Sequence, residues 1–484
     1  MSAVSDSSSA PIVTISTGSI SGSSQDAIER FLGIPYAAAP VGKNRFELPQ
    51  PHPGWEGVRR ATEFGATAPQ APYNGGIESV LPSVIIDGDE FLNVNVWAPS
   101  AASRLPVMVW VHGGALSRGS NSLDGYDGGT FARDGVVFVS INYRLGAEGF
   151  SVLEGAQLNL GLADVFAALR WVKNEISAFG GDPENVTVFG QSAGGNLIAA
   201  LLAHEDARSL VSRAIVQSGP LTARPAKAAG RISRLMAKDL GIAATKAAFA
   251  AVAPDQLVAS QLRVTAGSTP ITGGPGFAIA IGGPLVPSNP ELELASGSAD
   301  TIDLLIGATT EEYRLWFIPT GLMSKISPLF LRLARLKFRV SSRIFAPYRA
   351  NRPGAGPGEL LGVLATDILL RLPLNRLADE RLTRRKPTWV YEFAWRSPVQ
   401  DLGAAHAVEL GFVFDRLDAA DSVGIAGEGA PQSIADDMHA AWVRFAKTGD
   451  PGWESWNERR PVRMFGGESY VVHAPREDER ANWK

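Results

Sequence analysis

Val186-Thr187-Val188-Phe189-Gly190-Gln191-Ser192-Ala193-Gly194-Gly195 is the stretch on which the fold turns. Its first four residues are β-branched or aromatic and predict a strand. The apolar run Asn196-Leu197-Ile198-Ala199-Ala200-Leu201-Leu202 behind it predicts a helix. Between them stands Gly-x-Ser-x-Gly, a strand-to-helix turn so tight that only small residues fit beside Ser192. Such a turn holds the hydroxyl out where a base reaches it, and the helix N-terminus beneath favours developing negative charge. The segment predicts a nucleophilic serine.

The flanking sequence supplies more strands of the same kind, at Asn93 to Trp97, Pro106 to Val111, Val136 to Asn142, Ala214 to Gln217, Asp303 to Gly307 and Thr388 to Phe393. Leu162, Val165, Phe166, Leu169, Val172 and Ile176 form a 3.6-residue stripe that predicts a helix over 162–179, stopped by Gly180-Gly181-Asp182-Pro183. Strands alternating with helices place the chain in the α/β class, with a mostly parallel sheet flanked by helices. Residues 12–484 read as one catalytic domain preceded by a disordered Ser- and Ala-rich leader, 1–11. Less regular insertions near 225–300 and 315–375 are expected to cap the site. The second contains a basic apolar helix over 329–345, read as a cap helix with a solvated basic edge, with contact to a membrane surface as the functional alternative.

A serine hydroxyl needs a base, and the base needs a third group to orient it. Of the six histidines, His52 lies in a Pro-rich loop, His204 in the helix after the elbow, His439 in a helical pattern and His473 beyond the final strand. His406, in Gly403-Ala404-Ala405-His406-Ala407-Val408-Glu409-Leu410, sits in a loop after a late strand, where this order of elements puts a base. The acid is expected after the strand Asp303 to Gly307, and spacing alone leaves both Glu311 and Glu312 open. Val109-Trp110-Val111-His112-Gly113-Gly114-Ala115 runs from a strand into a small-residue turn. There the N–H groups of Gly114 and Ala115, with that of Ala193, form a candidate oxyanion hole.

Composition narrows the remaining classes. The chain has 484 residues, no cysteine and a formal net charge of −4. Disulfides, a thiolate metal site and a cysteine nucleophile are thereby excluded, and no broad electrostatic case for nucleic acid exists. The N-terminus lacks the basic and apolar regions of a signal peptide. No stretch reaches about 18 uncharged apolar residues, so the expectation is a cytoplasmic protein without stable membrane insertion. No motif for a metal or organic cofactor occurs, and the expected partner is a small-molecule ester. Oligomeric state has no signature in the sequence.

Taken together, these segments resemble the type-B carboxylesterase/lipase family, the cholinesterase-like branch of the α/β-hydrolases, in a bacterial-type form. The likeness covers nearly the whole chain and includes Arg30 to Ala37, Asp89 to Trp97, Asn142 to Gly146 and Phe179 to Pro183. It implies an α/β-hydrolase fold and ester hydrolysis through an acyl-enzyme. The family's acid stands five residues after a strand-ending glycine, which selects Glu312, and its histidine motif selects His406. It further implies structural ion pairs Arg45–Asp89 and Arg144–Asp164. Ala68 and Phe91 stand where extracellular relatives form a disulfide. Loop 69–90 contains no Trp and Gln191 replaces a carboxylate, so neutral esters are expected over choline esters. The runner-up reading is carbamate or aryl-amide hydrolysis by the same residues, and a third is a non-catalytic interaction protein of this fold.

Overall fold

The computed structural model describes residues 10–268 and 274–483. Its centre is an 11-stranded sheet: β1 (Ser23–Gln25), β2 (Ile28–Pro35), β3 (Asn93–Pro99), β4 (Leu105–Val111), β5 (Val137–Ile141), β6 (Gly181–Gln191), β7 (Arg213–Gln217), β8 (Asp303–Thr309), β9 (Thr388–Phe393), β10 (Pro461–Phe465) and β11 (Tyr470–His473). Across the sheet the order is β11-β10-β9-β8-β7-β6-β4-β5-β3-β2-β1. The seven strands from β5 to β10 are parallel, and antiparallel strands close both edges.

The parallel strands are apolar on both faces because both are covered. Alternation along β4 sends Val107, Val109 and Val111 into one core and Met108 and Trp110 into the other. The first core is completed by α1 (Leu160–Glu175) and α2 (Ala193–Leu202), and the second by α8 (Gln432–Thr448). Arg144 and Asp164 are fully buried in a two-pronged pair at 2.7 and 2.8 Å. Ala68 and Phe91 are both buried in the first core and need no bond between them.

Between strands lie α3 (Pro254–Thr265), α4 (Pro328–Lys337), α5 (Ser342–Ala350), α6 (Pro357–Thr366) and α7 (Leu372–Thr383), with a π-helical turn at Asp367–Arg371 joining the last two. Residues 313–364 have a core of their own, built on Tyr313, Phe317, Leu331, Phe345, Tyr348 and Leu361.

Three expectations are corrected. The basic helix of 329–345 is two helices: Arg339 takes a left-handed φ of 57° and the Ser341 hydroxyl starts α5 by accepting from the Ile344 N–H at 3.3 Å. Arg45 does not meet Asp89, which is exposed; its guanidinium turns inward to Glu148 at 2.7 Å, where burial strengthens the pair. His473 ends a strand, β11, which the sequence hid because its residues are half-exposed at the sheet edge.

Candidate active site

Every predicted site residue follows the carboxyl end of a parallel strand, the edge where α/β sheets bind ligands. Gly114 and Ala115 follow β4, Ser192 follows β6, Glu312 follows β8, and His406 lies in the loop after β9. Together with Ala193 they line a single cavity of about 970 Å³.

Ser192 has φ 59° and ψ −120°, outside the regions ordinary residues occupy, at a cost of order 1–3 kcal/mol. Its N–H donates to the Gln217 carbonyl at 2.9 Å, and its own carbonyl accepts from the Asn196 N–H at 2.9 Å. The glycine at 194 is demanded by close approach: a Cβ there would stand 2.0 Å from the Val111 carbonyl oxygen. The elbow is thus wedged between β4 and β7, so the strain persists.

Glu312 is 1% exposed. One carboxylate oxygen accepts from the Thr309 N–H at 2.7 Å and the Ser218 hydroxyl at 2.6 Å. The other accepts from His406 Nδ1. Glu311 points elsewhere. It accepts from the Ala404 N–H at 3.0 Å and pairs with Arg396, and its own N–H donates to the Ala404 carbonyl. One glutamate therefore faces the imidazole while its neighbour pins the loop that carries it.

With Nδ1 protonated toward Glu312, Nε2 of His406 is an acceptor, and the side-chain amide of Gln191 meets it at 3.1 Å rather than the Ser192 hydroxyl. Trp316 lies against the ring, centroid to centroid 4.7 Å.

The turn at Gly113 to Ala115 is braced from behind. A Cβ on Gly114, at φ 116°, would stand 1.9 Å from the Arg118 carbonyl oxygen. Gln70 bonds the Gly119 N–H and carbonyl at 2.8 and 2.9 Å. His112 stacks on Tyr143 at 4.5 Å, and burial pushes its pKa down to about 4, so the ring is neutral and its Nδ1–H donates to the Gly113 carbonyl at 2.8 Å. The remaining histidines are engaged away from the cavity: His52 with Glu90, His204 with the Asp206 backbone, His439 with the Val413 carbonyl and His473 with Glu454.

Sequence reasoning passed over Ser218 and Glu409. Ser218 follows β7 directly, and the rule that parallel strands point their carboxyl ends at the ligand would have flagged it. Glu409 is completely buried, and its pKa is pushed up to about 8, first by burial and then by neighbouring Glu312. It stands in the quoted histidine motif but carries no spacing signal of its own.

The profile of the Carboxylesterase family matches residues 9–465. Para-nitrobenzyl esterase of Bacillus subtilis is 35% identical over 97% of this chain and 97% of its own. Phenmedipham hydrolase of Pseudarthrobacter oxydans is 35% identical over 91% and 90%. A crystal structure of a Geobacillus stearothermophilus carboxylesterase, 33% identical, superposes with a TM-score of 0.87 over 98% of this chain and 100% of that one. Its α/β-hydrolase architecture is the one described above. The chain belongs to the carboxylesterase family, serine hydrolases of carboxylic esters.

Proposed function

We propose that Ser192, His406 and Glu312 are the catalytic triad of this esterase, with the N–H groups of Gly114, Ala115 and Ala193 as its oxyanion hole. Residues 12–484 then act as one catalytic domain, its site capped by the insertions near 225–300 and 315–375. Leu262 and Phe277 from the first and Trp316 and Leu369 from the second line the cavity, which supports that division.

Catalysis begins when the Ser192 hydroxyl replaces the Gln191 amide at His406 Nε2. The oxygen attacks the acyl carbonyl as Nε2 takes the proton, and the three N–H groups receive the charge on the carbonyl oxygen. The imidazolium, held by Glu312, returns the proton to the leaving alcohol. A water activated by the same nitrogen then releases the acid. The observation that carries this reading is the unbroken hydrogen-bonded line Ser218–Glu312–His406 ending beside a strained serine.

A fluorophosphonate probe should add at Ser192 and nowhere else, and Ser192→Ala should remove turnover by on the order of a million-fold. Labelling at another serine would end the assignment. The absence of cysteine agrees with work in a reducing, cytoplasmic setting, and activity should withstand both dithiothreitol and EDTA.

Two of these relatives bear names of different substrates. That supports carbamates within the second reading, carbamate or aryl-amide hydrolysis by the same residues. A panel of p-nitrophenyl esters, carbamates and anilides with matched acyl groups separates the two by kcat/KM.

A further inference from the structure

Helix α4 is built inside out. Its only buried side chain is Leu331, whereas Leu329 is 64% exposed, Leu333 55% and Leu336 67%, with Phe330 at 47% and Phe338, just past its end, at 44%. The three leucines recur at i, i+4 and i+7, so they form one stripe along the outward face. Arg332 and Lys337 flank that stripe, both exposed.

The surrounding sequence is as one-sided in charge. From 313 to 358 there are nine Lys and Arg and no Asp or Glu, in a chain whose net charge is −4. Arg314 and Arg352 are ion-paired, to Asp401 and Glu479. Among the described residues, Lys325, Arg332, Arg335, Lys337, Arg339, Arg343 and Arg349 have no carboxylate partner. Contiguous exposed apolar surface marks an interaction site rather than a solvated face. A second copy of this chain would set seven unpaired cations against seven. An acyl-chain boundary under anionic headgroups takes the leucines and the cations together.

We propose that the outward face of α4 docks on the surface of an anionic lipid bilayer. None of the described helices is long and apolar enough to cross a membrane, and the stripe is that of a helix lying in the interface. The docking surface is joined to the site: Thr320 and Leu322, which line the cavity, open the segment that carries the stripe.

The test is co-sedimentation of the full-length protein with phosphatidylglycerol–phosphatidylcholine vesicles and with pure phosphatidylcholine vesicles. Binding to the anionic vesicles should be at least about tenfold tighter, given roughly fivefold per cation near such a surface, and should fall with salt. R332E/K337E and L333E/L336E should each lose it, the second by about a hundredfold. Both variants should turn over a soluble p-nitrophenyl acetate at the parent rate. Leu292→Glu, at a leucine 65% exposed in a helix bordered by Glu291 and Glu293, should bind as the parent does. Equal affinity for neutral vesicles, no binding to either, or full binding by both variants would overturn the proposal. So would a dimer in light scattering that the same variants dissociate, because the face would then join copies of the chain.

Discussion

The loops that hold Ser192, Glu312 and His406 face the same cavity as the helices of residues 313–383, yet the two regions are held by different forces. The loops are held by backbone contacts and by side chains that bond to them: a glycine against a strand carbonyl, the Thr309 N–H and the Ser218 hydroxyl on Glu312, the Gln217 carbonyl on the Ser192 N–H, and Glu311 on the Ala404 N–H. The helices of 313–383 have a small apolar core of their own, ion pairs to Asp401 and Glu479, a π-helical turn at Asp367–Arg371 and leucines left in solvent. On the proposed reading, the chemistry rests on the backbone-braced loops, and the helices of 313–383 touch it chiefly through Trp316 against the His406 ring.

The sharpest way to break that comparison is at the two adjacent glutamates. Glu312→Gln should lower kcat by up to about 10⁴-fold, the loss seen when a triad acid no longer fixes the imidazole tautomer. Glu311→Gln removes the charge facing Arg396 and Arg314, so its main effect should be a loss of stability of roughly 1–3 kcal/mol, with a far smaller change in kcat. Thermal unfolding and single-turnover acylation measured on both variants separate the two. Reversed losses would reassign the acid to Glu311 and end the distinction between a chemical residue and a bracing one.

The same contrast explains what could be read from the sequence. The elbow was legible because the requirement is local: close approach demands small residues at fixed offsets from Ser192. The sheet was legible because strands buried on both faces are apolar without interruption, as in Val107 to Val111. Ion pairs that form over distance were not. Arg45 reaches Glu148, 103 positions along the chain, and nothing in the spacing distinguishes that carboxylate from Asp89. The break between α4 and α5 was also hidden, because leucines and arginines at helical spacing continue through it and only a left-handed Arg339 ends the turn. The direction α4 faces was equally invisible: periodicity locates an apolar stripe and does not say whether it meets a core or solvent.

Selectivity tests the cap side of the comparison. Loop 69–90 offers Tyr73 as its aromatic ring at the cavity, and the Arg118 guanidinium already lies 4.9 Å from the centroid of that ring. A cationic substrate would meet a resident cation where a cholinesterase-like site needs an open aromatic face. A desolvated cation–π contact is worth about 2 kcal/mol, or about thirtyfold in kcat/KM. Butyrylcholine should therefore be no better a substrate than its uncharged isostere, in which carbon replaces the ammonium nitrogen. Arg118→Ala should shift the ratio toward the cation several-fold, leaving the rate on the isostere within about a factor of three. A strong preference for choline in the parent would show that another ring, Trp316 foremost, takes the cation.

The last test probes a buried acid beside the proposed triad. Glu409 is completely buried close to Glu312, and burial first, then the charge of that neighbour, push its pKa up to about 8. Raising the pKa of an acid on folding means that the folded chain binds more protons than the unfolded one between the ordinary carboxylate value and about 8. Stability from this group is therefore complete below the ordinary value and is lost as pH rises through about 8, with a slope of at most about 1.4 kcal/mol per pH unit. Glu409→Gln keeps the shape and removes the titration. Relative to the parent, the variant should gain stability steadily between pH 5 and about pH 8, read from urea midpoints at constant m-value. At lower pH the difference should level off. A parent that instead gained on the variant with rising pH would mean that Glu409 is ionised in the fold and paired, and the strand ends beneath His406 would then carry a second negative charge beside Glu312.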